Sequence, residues 1–386
     1  SQAGNGNWNA AVPVTNTFTV TKATATVTLG SLAQTYDGTA RAATATTVPV
    51  GLTVDLTYNG SATAPTAAGS YAVTGTVNSA MYQGTTNGTL VVSAANQTIT
   101  FPAIGSKLTT DTVGLAATAS SGLPVTFAVG SGLATITGGT NLTFTGAGSV
   151  SIVASQAGNG NWNAAVPVTN TLTVTKATAT VTLGSLAQTY DGTAKSATAT
   201  TVPVGLTVDL TYNGSAMAPT AAGSYAVTGT VNSAMYQGST NGTLVVTKVE
   251  LTVTGAQAQD KPYDGNTDAL IAGASLVGVV GTDDVELEAM IGTFAQADVG
   301  TDIAVTAALT VTGTDASNYT LTQPASLAAD ITAAELTVTG AVAQDKVYDA
   351  TTAAQITGAT LVGLLPGDTV ALGTTTGSFA DKNVGT

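Results

Sequence analysis

Residues 1–92 return almost unchanged as residues 155–246, an offset of 154 residues. Five positions differ: Phe18/Leu172, Arg41/Lys195, Ala42/Ser196, Thr63/Met217 and Thr85/Ser239. A long, nearly exact period restricts the chain to domains that stack in series, each burying its own core. Such recent tandem duplication suits a length-extending spacer better than a catalytic domain. A second period, of 85 residues, follows: residues 251–255 return as 336–340, and 260–265 (Asp-Lys-Pro-Tyr-Asp-Gly) as 345–350 (Asp-Lys-Val-Tyr-Asp-Ala). Phe294 matches Phe379, and residues 299–301 match 384–386. Both ends of the sequence are therefore expected to lie inside domains, with more chain on each side.

Within each repeat the hydrophobic pattern has a period of two. Ala23, Ala25, Val27 and Leu29 alternate with Thr24, Thr26 and Thr28; Leu52, Val54, Leu56 and Tyr58 alternate with Thr53, Asp55 and Thr57. Tyr71, Val73 and Val77 continue the pattern. One face of each strand is thereby assigned to a core and a Thr-rich face to water. Asn59-Gly60 and Asn87-Gly88 are both expected to form hairpin turns. No stretch carries a helical period, so the chain reads as all-β, in sandwiches or compact rolls.

Composition narrows the function. Only 8% of residues are charged, against about 25% in an average soluble domain. There is no cysteine, hence no disulfide or thiolate metal site, and no histidine, the commonest general base. The net charge of −13 argues against nucleic acid, and no apolar run approaches the roughly 18 residues of a membrane helix. The acidity is uneven: residues 1–248 hold five Asp and no Glu, and residues 249–386 hold the other 17 acids. That step marks a change of domain type.

The repeats resemble known families. Residues 23–95 and 177–248 resemble the mostly-beta, glycine-rich (MBG) repeat, through Tyr36-Asp37-Gly38, residues 57–60 (Thr-Tyr-Asn-Gly), 67–71 (Ala-Ala-Gly-Ser-Tyr) and 82–84 (Tyr-Gln-Gly). Residues 96–176 resemble a bacterial immunoglobulin-like domain, through 119–127, 145–150 and 154–159, and residues 1–22 match its C-terminal part. Residues 249–334 and 335–386 resemble the YDG repeat, the second incomplete, through 261–265 (Lys-Pro-Tyr-Asp-Gly) and 318–323 (Asn-Tyr-Thr-Leu-Thr-Gln). The second copy departs by carrying Ala350 where the first has Gly265. If that turn needs a positive φ, Ala350 is strained or the turn differs. The resemblance implies tandem immunoglobulin-like sandwiches and small β-rich domains in an elongated rod. It further implies a large extracellular protein of the bacterial cell surface.

Candidate sites divide between structural and chemical readings. The Tyr-Asp-Gly turns read as turn geometry plus a buried ring whose hydroxyl finds a partner. Trp8 and Trp162 read as core or domain-junction packing rather than a sugar platform. Asp283, Asp284, Glu286 and Glu288 form the densest acidic cluster, read as a solvated strand face. The alternative is calcium held by Asp283, Asp284 and Glu286, or at a junction by Asp298 and Asp302, although calcium requires about six to eight converging oxygens. In the second YDG copy Asp368 remains, while Thr369, Ala371 and Gly373 replace the other acids. Lys22, Lys176 and Lys248, at the repeat boundaries, read as blunting strand edges. The Asn-Gly-Ser/Thr sequons at Asn59, Asn87, Asn213 and Asn241 are placed in turns.

The chain thus reads as a non-catalytic structural segment, without a cofactor. It is expected to form the shaft of a surface filament or the stalk of an adhesin. The alternative is an adhesive module for a glycan or a partner protein. Its partners are expected to be neighbouring copies or further domains of the same chain, with no nucleic acid and no membrane insertion.

Overall fold

A computed structural model describes residues 1–385; Thr386, the sequence counterpart of Thr301, lies outside the described residues. The protein is all-β: strands and turns account for its regular structure, and the one helical element among the described residues is the 3-10 turn Ala316–Asn318. The chain divides into two compact units, Ser1–Thr178 with Ser233–Gln237, and Ala179–Asn232 with Gly238–Thr386.

In the first unit, residues 23–93 form a four-stranded sheet in the order Ala33–Thr35, Thr85–Ser93, Gly69–Val77, Val54–Tyr58. The hairpin Thr26–Gly30 with Thr44–Val48 covers it. Alternation works as the sequence implies: Ala25 and Val27 are buried and Thr24, Thr26 and Thr28 exposed. Tyr58, Val73, Leu90 and Val92 fill the centre, and the Tyr58 hydroxyl accepts a hydrogen bond from the Ala43 N–H at 2.9 Å. A buried ring thus keeps its polar end satisfied.

Residues 96–176 form a sandwich. A four-stranded sheet runs Lys107–Leu108, Val168–Thr175, Gly148–Ser155, Thr126–Ser131, and a three-stranded sheet runs Thr112–Gly114, Asn141–Phe144, Ala134–Thr137. Val150, Ile152, Leu172 and Val174 from the first meet Leu142 and Phe144 from the second in one core. Two inward faces packed this way are the β-sandwich solution to half-apolar strands.

The second unit repeats the four-stranded sheet and hairpin of residues 23–93 with the same registers, shifted by 154 residues. After it, Val249–Thr254 begins one residue beyond Ser239–Thr247, so one domain's last strand leads almost directly into the next. The following domain centres on a six-stranded sheet in the order Gln257–Ala258, Asp268–Ala272, Ile291–Phe294, Gly300–Ala307, Leu327–Thr332, Lys261–Pro262. Phe294, Ile303, Val305 and Ile331 form its core. Residues 335–385 repeat the opening of this domain, with Thr337–Thr339 paired to Thr360–Val362.

One turn assignment is corrected. Asn59 and Gly60 have φ of 46° and 85°, and Tyr58 and Ser61 exchange both backbone hydrogen bonds, as a type I′ turn requires. Asn87 and Gly88 instead lie inside the strand Thr85–Ser93. Asn87 Oδ1 accepts from the Thr74 hydroxyl at 2.8 Å. A Cβ on Gly88 would stand 3.1 Å from Leu29 and 3.3 Å from Leu32. This glycine leaves room for leucines of the facing hairpin, so packing overrides the local turn preference. Asn241 and Gly242 behave identically in Ser239–Thr247, so the sequons at Asn87 and Asn241 are in strands, not turns.

Candidate functional site

Each Tyr-Asp-Gly turn stands at the point where the chain leaves its domain. A short strand ahead of the tyrosine runs parallel to the domain's final strand: Ala33–Thr35 beside Thr85–Ser93, Ala187–Thr189 beside Ser239–Thr247, and Lys261–Pro262 beside Leu327–Thr332. The ladder continues for one more residue. The N–H groups of Tyr36, Tyr190 and Tyr263 donate to the carbonyls of Ser93, Thr247 and Thr332 at 2.9, 2.9 and 2.8 Å.

The Asp of each turn organises the backbone behind the ring. Asp37, Asp191 and Asp349 accept from the N–H groups of Thr39, Thr193 and Thr351 at 2.9 Å, and Asp264 from that of Asn266 at 3.2 Å. These are the Asx turns that short polar side chains favour. A cation neutralises each one: Arg41 on Asp37, Lys195 on Asp191, Lys261 on Asp264 and Lys346 on Asp349. The Lys195 hydrogen bond, and then the Thr193 hydroxyl, hold the Asp191 carboxyl at about 2. Lys346 and the Thr351 N–H do the same for Asp349, also to about 2. Gly38, Gly192 and Gly265 take φ of 84°, 78° and 78°, and Ala350 takes 62°. Ala350 therefore does occupy the left-handed region that the sequence comparison flagged as strained for it.

The tyrosine partners lie in the next domain. In the first unit, the ring of Tyr36 meets Trp162 edge-on, with centroids 5.6 Å apart and planes at 82°. Beside it, Asn161 Oδ1 accepts from the Ala68 N–H at 2.8 Å. In the second unit, Tyr190 meets Tyr319 at 5.6 Å and 78°. Here Asn318 Oδ1 accepts from the Ala222 N–H at 2.8 Å, and Ala222 is the 154-residue counterpart of Ala68. One exit face, a tyrosine ring plus one backbone N–H, thus docks on an Asn-aromatic pair in two unlike domains.

Asp283 adds an electrostatic element. Its Oδ2 accepts from the hydroxyls of Tyr190 at 2.6 Å and Tyr319 at 2.5 Å, and the Tyr319 hydroxyl accepts from the Val280 N–H at 2.9 Å. The bond to Asp283, followed by burial, pushes the Tyr190 phenol well above its usual range. Burial, followed by the same carboxylate, raises Tyr319. The next joint repeats the donor: the Tyr263 hydroxyl reaches Asp368, the counterpart of Asp283, at 3.0 Å, and its phenol is raised chiefly by that bond.

The other candidates disperse. Asp284 Oδ2 accepts from the N–H and hydroxyl of Thr314 at 3.1 and 3.2 Å, bracing a loop. Glu286, Glu288, Asp298 and Asp302 are exposed, and the Asp302 N–H donates to Asp330 at 2.8 Å. Among the described residues no group of three or more acidic side chains is gathered as a metal site would need. Trp162 is half-buried in a joint, whereas Trp8 is 76% exposed. Lys22 donates to the Ser79 carbonyl at 2.7 Å. No helix among the described residues is long and apolar enough to cross a membrane.

The chemistry of a buried phenol calls for a hydroxyl partner, and for Tyr190 and Tyr263 that partner lies in the following domain. A signal was present: of four neighbouring acids in the first YDG repeat, only Asp283 has an acidic counterpart, Asp368, in the second.

The MBG domain model matches residues 25–96 and 179–250, and the YDG domain model matches 246–327 and 332–386. Both are repeat domains and not known catalytic families. No curated protein matches the chain in sequence. Among solved structures, the chain is similar to immunoglobulin domains 1–5 of Sidekick-1, at 11% identity and a TM-score of 0.23, covering 80% of this chain and 81% of that one. It is also similar to domains 4–9 of the surface layer protein SbsC, at 13% identity and a TM-score of 0.22, covering 93% and 72%. Human protocadherin-24 EC1-2 matches at 14% identity and a TM-score of 0.20, covering 37% and 93%.

Proposed function

We propose that this chain, an array of MBG and YDG repeat domains, is a structural, non-catalytic segment of a larger extracellular surface protein, forming part of a filament shaft or stalk. The observation that carries this reading is the recurrence of one joint: Tyr36 on Trp162 in the first unit, then Tyr190 on Asp283 and Tyr319, and Tyr263 on Asp368, in the second. Short linkers, a single residue between Thr247 and Val249, and rings packed against the following domain restrict bending at the joints. That is the property a spacer needs and an isolated enzyme does not.

The rival reading, an adhesive module, wants exposed aromatic rings for a glycan. Trp162, Tyr190 and Tyr319 are occupied by contacts between domains, which favours the structural role. The turn aspartates are likewise paired with cations, and Asp283 and Asp368 accept from the phenols of the joints.

Electron microscopy of the native material bearing this chain tests the proposal. Filaments or stalks extending from the cell surface are the expected outcome. Localisation of the chain to compact particles inside the cell would overturn it.

A further inference from the structure

The sandwich of residues 96–176 has an exit that carries no tyrosine. Its strand Lys107–Leu108 runs parallel to the final strand Val168–Thr175, with Leu108 beside Thr175, as Thr35 lies beside Ser93. The ladder again continues for one residue: the Thr109 N–H donates to the Thr175 carbonyl at 2.9 Å. Thr109 therefore occupies the backbone position held elsewhere by Tyr36, Tyr190 and Tyr263. An aspartate braces this turn too, since Asp111 Oδ2 accepts from the Leu108 N–H at 2.9 Å.

Thr109 is 2% exposed, and its hydroxyl bonds to chain beyond the sandwich. Oγ1 accepts from the Ala177 N–H at 3.1 Å and donates to the Met235 carbonyl. Ala177 also donates to that carbonyl, at 3.0 Å. All three residues belong to the first unit. A hydroxyl has one donor and two acceptor sites, so this short side chain ties together the exit turn, the entering strand and the loop that receives it.

The receiving side follows one plan. Each entering strand pairs in parallel with an aromatic residue: Ala23 with Tyr82, Ala95 with Trp162, Ala177 with Tyr236 and Val249 with Tyr319. The residue just before the ring differs. It is Asn161 or Asn318 where a tyrosine docks, and each asparagine side chain takes a backbone N–H of the preceding domain. It is Met235 where Thr109 docks. Methionine has only a weakly accepting sulfur, and the backbone carbonyl is the acceptor instead.

We infer that exit and entry residues are matched, and that the match selects which type of domain can follow. A tyrosine exit takes an Asn-aromatic entry, whereas the Thr109 exit fits the Met-Tyr entry of an MBG domain. Thr109 Oγ1 stands one bond from Cβ, so its contact with the Met235 carbonyl brings two backbones close together. A ring at position 109 pushes them apart. In the other direction, an MBG exit set on Met-Tyr finds no side-chain acceptor for the N–H of Ala68 or Ala222. MBG domains are thereby kept from following one another directly, and both MBG exits here meet an unlike domain. The inference concerns only the order of domains and stands apart from the shaft role.

Substitutions in the full chain test the match through hydrogen exchange. Thr109→Val keeps the shape and removes the hydroxyl, and exchange at Ala177 is expected to accelerate by roughly 2–10-fold, the worth of one net hydrogen bond. Thr109→Ser keeps the hydroxyl and is expected to hold Ala177 nearer the parent rate. Thr109→Tyr and Asn161→Met each install the residue of the other joint. The first is expected to accelerate Ala177, by overpacking, and the second Ala68, by loss of its acceptor, each by roughly 5–150-fold. The amides of Val150 and Ile152 in the sandwich core should keep their rates. Parent-like exchange at Ala177 in Thr109→Tyr, or at Ala68 in Asn161→Met, would show that exits and entries are interchangeable and would overturn the inference. An Ala177 rate unmoved by Thr109→Val would do the same. If the ring at position 109 also releases the core amides, Asn161→Met decides alone.

Discussion

Tyr190 and Asp283 are joined by a 2.6 Å hydrogen bond although 93 positions apart in the sequence. The tyrosine closes one domain, at the carbonyl of its last strand residue, and the carboxylate belongs to a loop of the next. Asp283 takes a second phenol from Tyr319 on the same oxygen. Three side chains from two domains therefore share one low-dielectric contact, where hydrogen bonds to a charged acceptor are stronger than neutral ones.

Asn318 is buried in this joint, and its Oδ1 is the acceptor seen for the Ala222 N–H. Replacement by Ala leaves that N–H without its partner, a loss of about 1–3 kcal/mol. Exchange of the Ala222 amide should accelerate by roughly 5–150-fold in Asn318→Ala, while amides in the Phe294 core keep their rates. Unchanged exchange at Ala222 would remove Asn318 from the joint.

High pH should weaken the joint, and low pH the turns behind the rings. Tyr190 and Tyr319 have phenols raised above the unfolded value of 10.0. Their contribution is complete below about 10 and is lost as pH rises toward the folded values, because the unfolded chain releases those protons first. Asp191 and Asp349 are depressed to about 2 from 3.8. Their contribution is present above about 3.8 and is lost as pH falls through about 2. Ultraviolet titration should show these two phenols ionising above 10.0, together with loss of protection at Ala222. Early ionisation with the joint intact would contradict the geometry.

Ala350 occupies a φ of 62°, where its counterpart Gly265 has 78°. A Cβ in the left-handed region costs about 1–2 kcal/mol, partly offset by the greater entropy glycine loses on folding. Ala350→Gly should therefore stabilise the last domain by roughly 0.5–1 kcal/mol. The check is its denaturant midpoint, which should rise. A lower midpoint would mean that the turn does not need glycine.

Arg41 and Lys195 are one of the five differences between the long repeats. Both cations reach the aspartate of the preceding turn, but the Arg41 Nε is buried without a hydrogen-bond partner. Lysine has no such atom. Arg41→Lys should be neutral or stabilising by up to about 1 kcal/mol, measured as the thermal midpoint of the full chain. A clear destabilisation would show that the guanidinium contributes more than its pairing with Asp37.

Local physics made the fold legible and left the joints hidden. Alternation placed Ala25, Val27 and Val73 inside, because a strand has only two faces. Asn59-Gly60 was readable as a turn from the dipeptide alone. The identical dipeptide at Asn87 was not, since Leu29 and Leu32, far away in sequence, decide what fits at Gly88. Tyr190 could be recognised as a ring whose hydroxyl needs a partner, but the identity of Asp283 depended on how two domains dock. Trp162 was expected in a core or a junction and stands in a junction, on the ring of Tyr36.

A double-mutant cycle on Tyr190→Phe and Asp283→Ala measures most directly whether the turn tyrosines join domains. Local opening free energy at the Ala222 amide gives the stability of the joint for each variant. The account predicts non-additivity of at least about 1 kcal/mol, the size expected of residues in direct hydrogen-bonded contact. Additive effects, within about 0.3–0.5 kcal/mol, would mean that Tyr190 and Asp283 act independently and that the joint is not what these residues build.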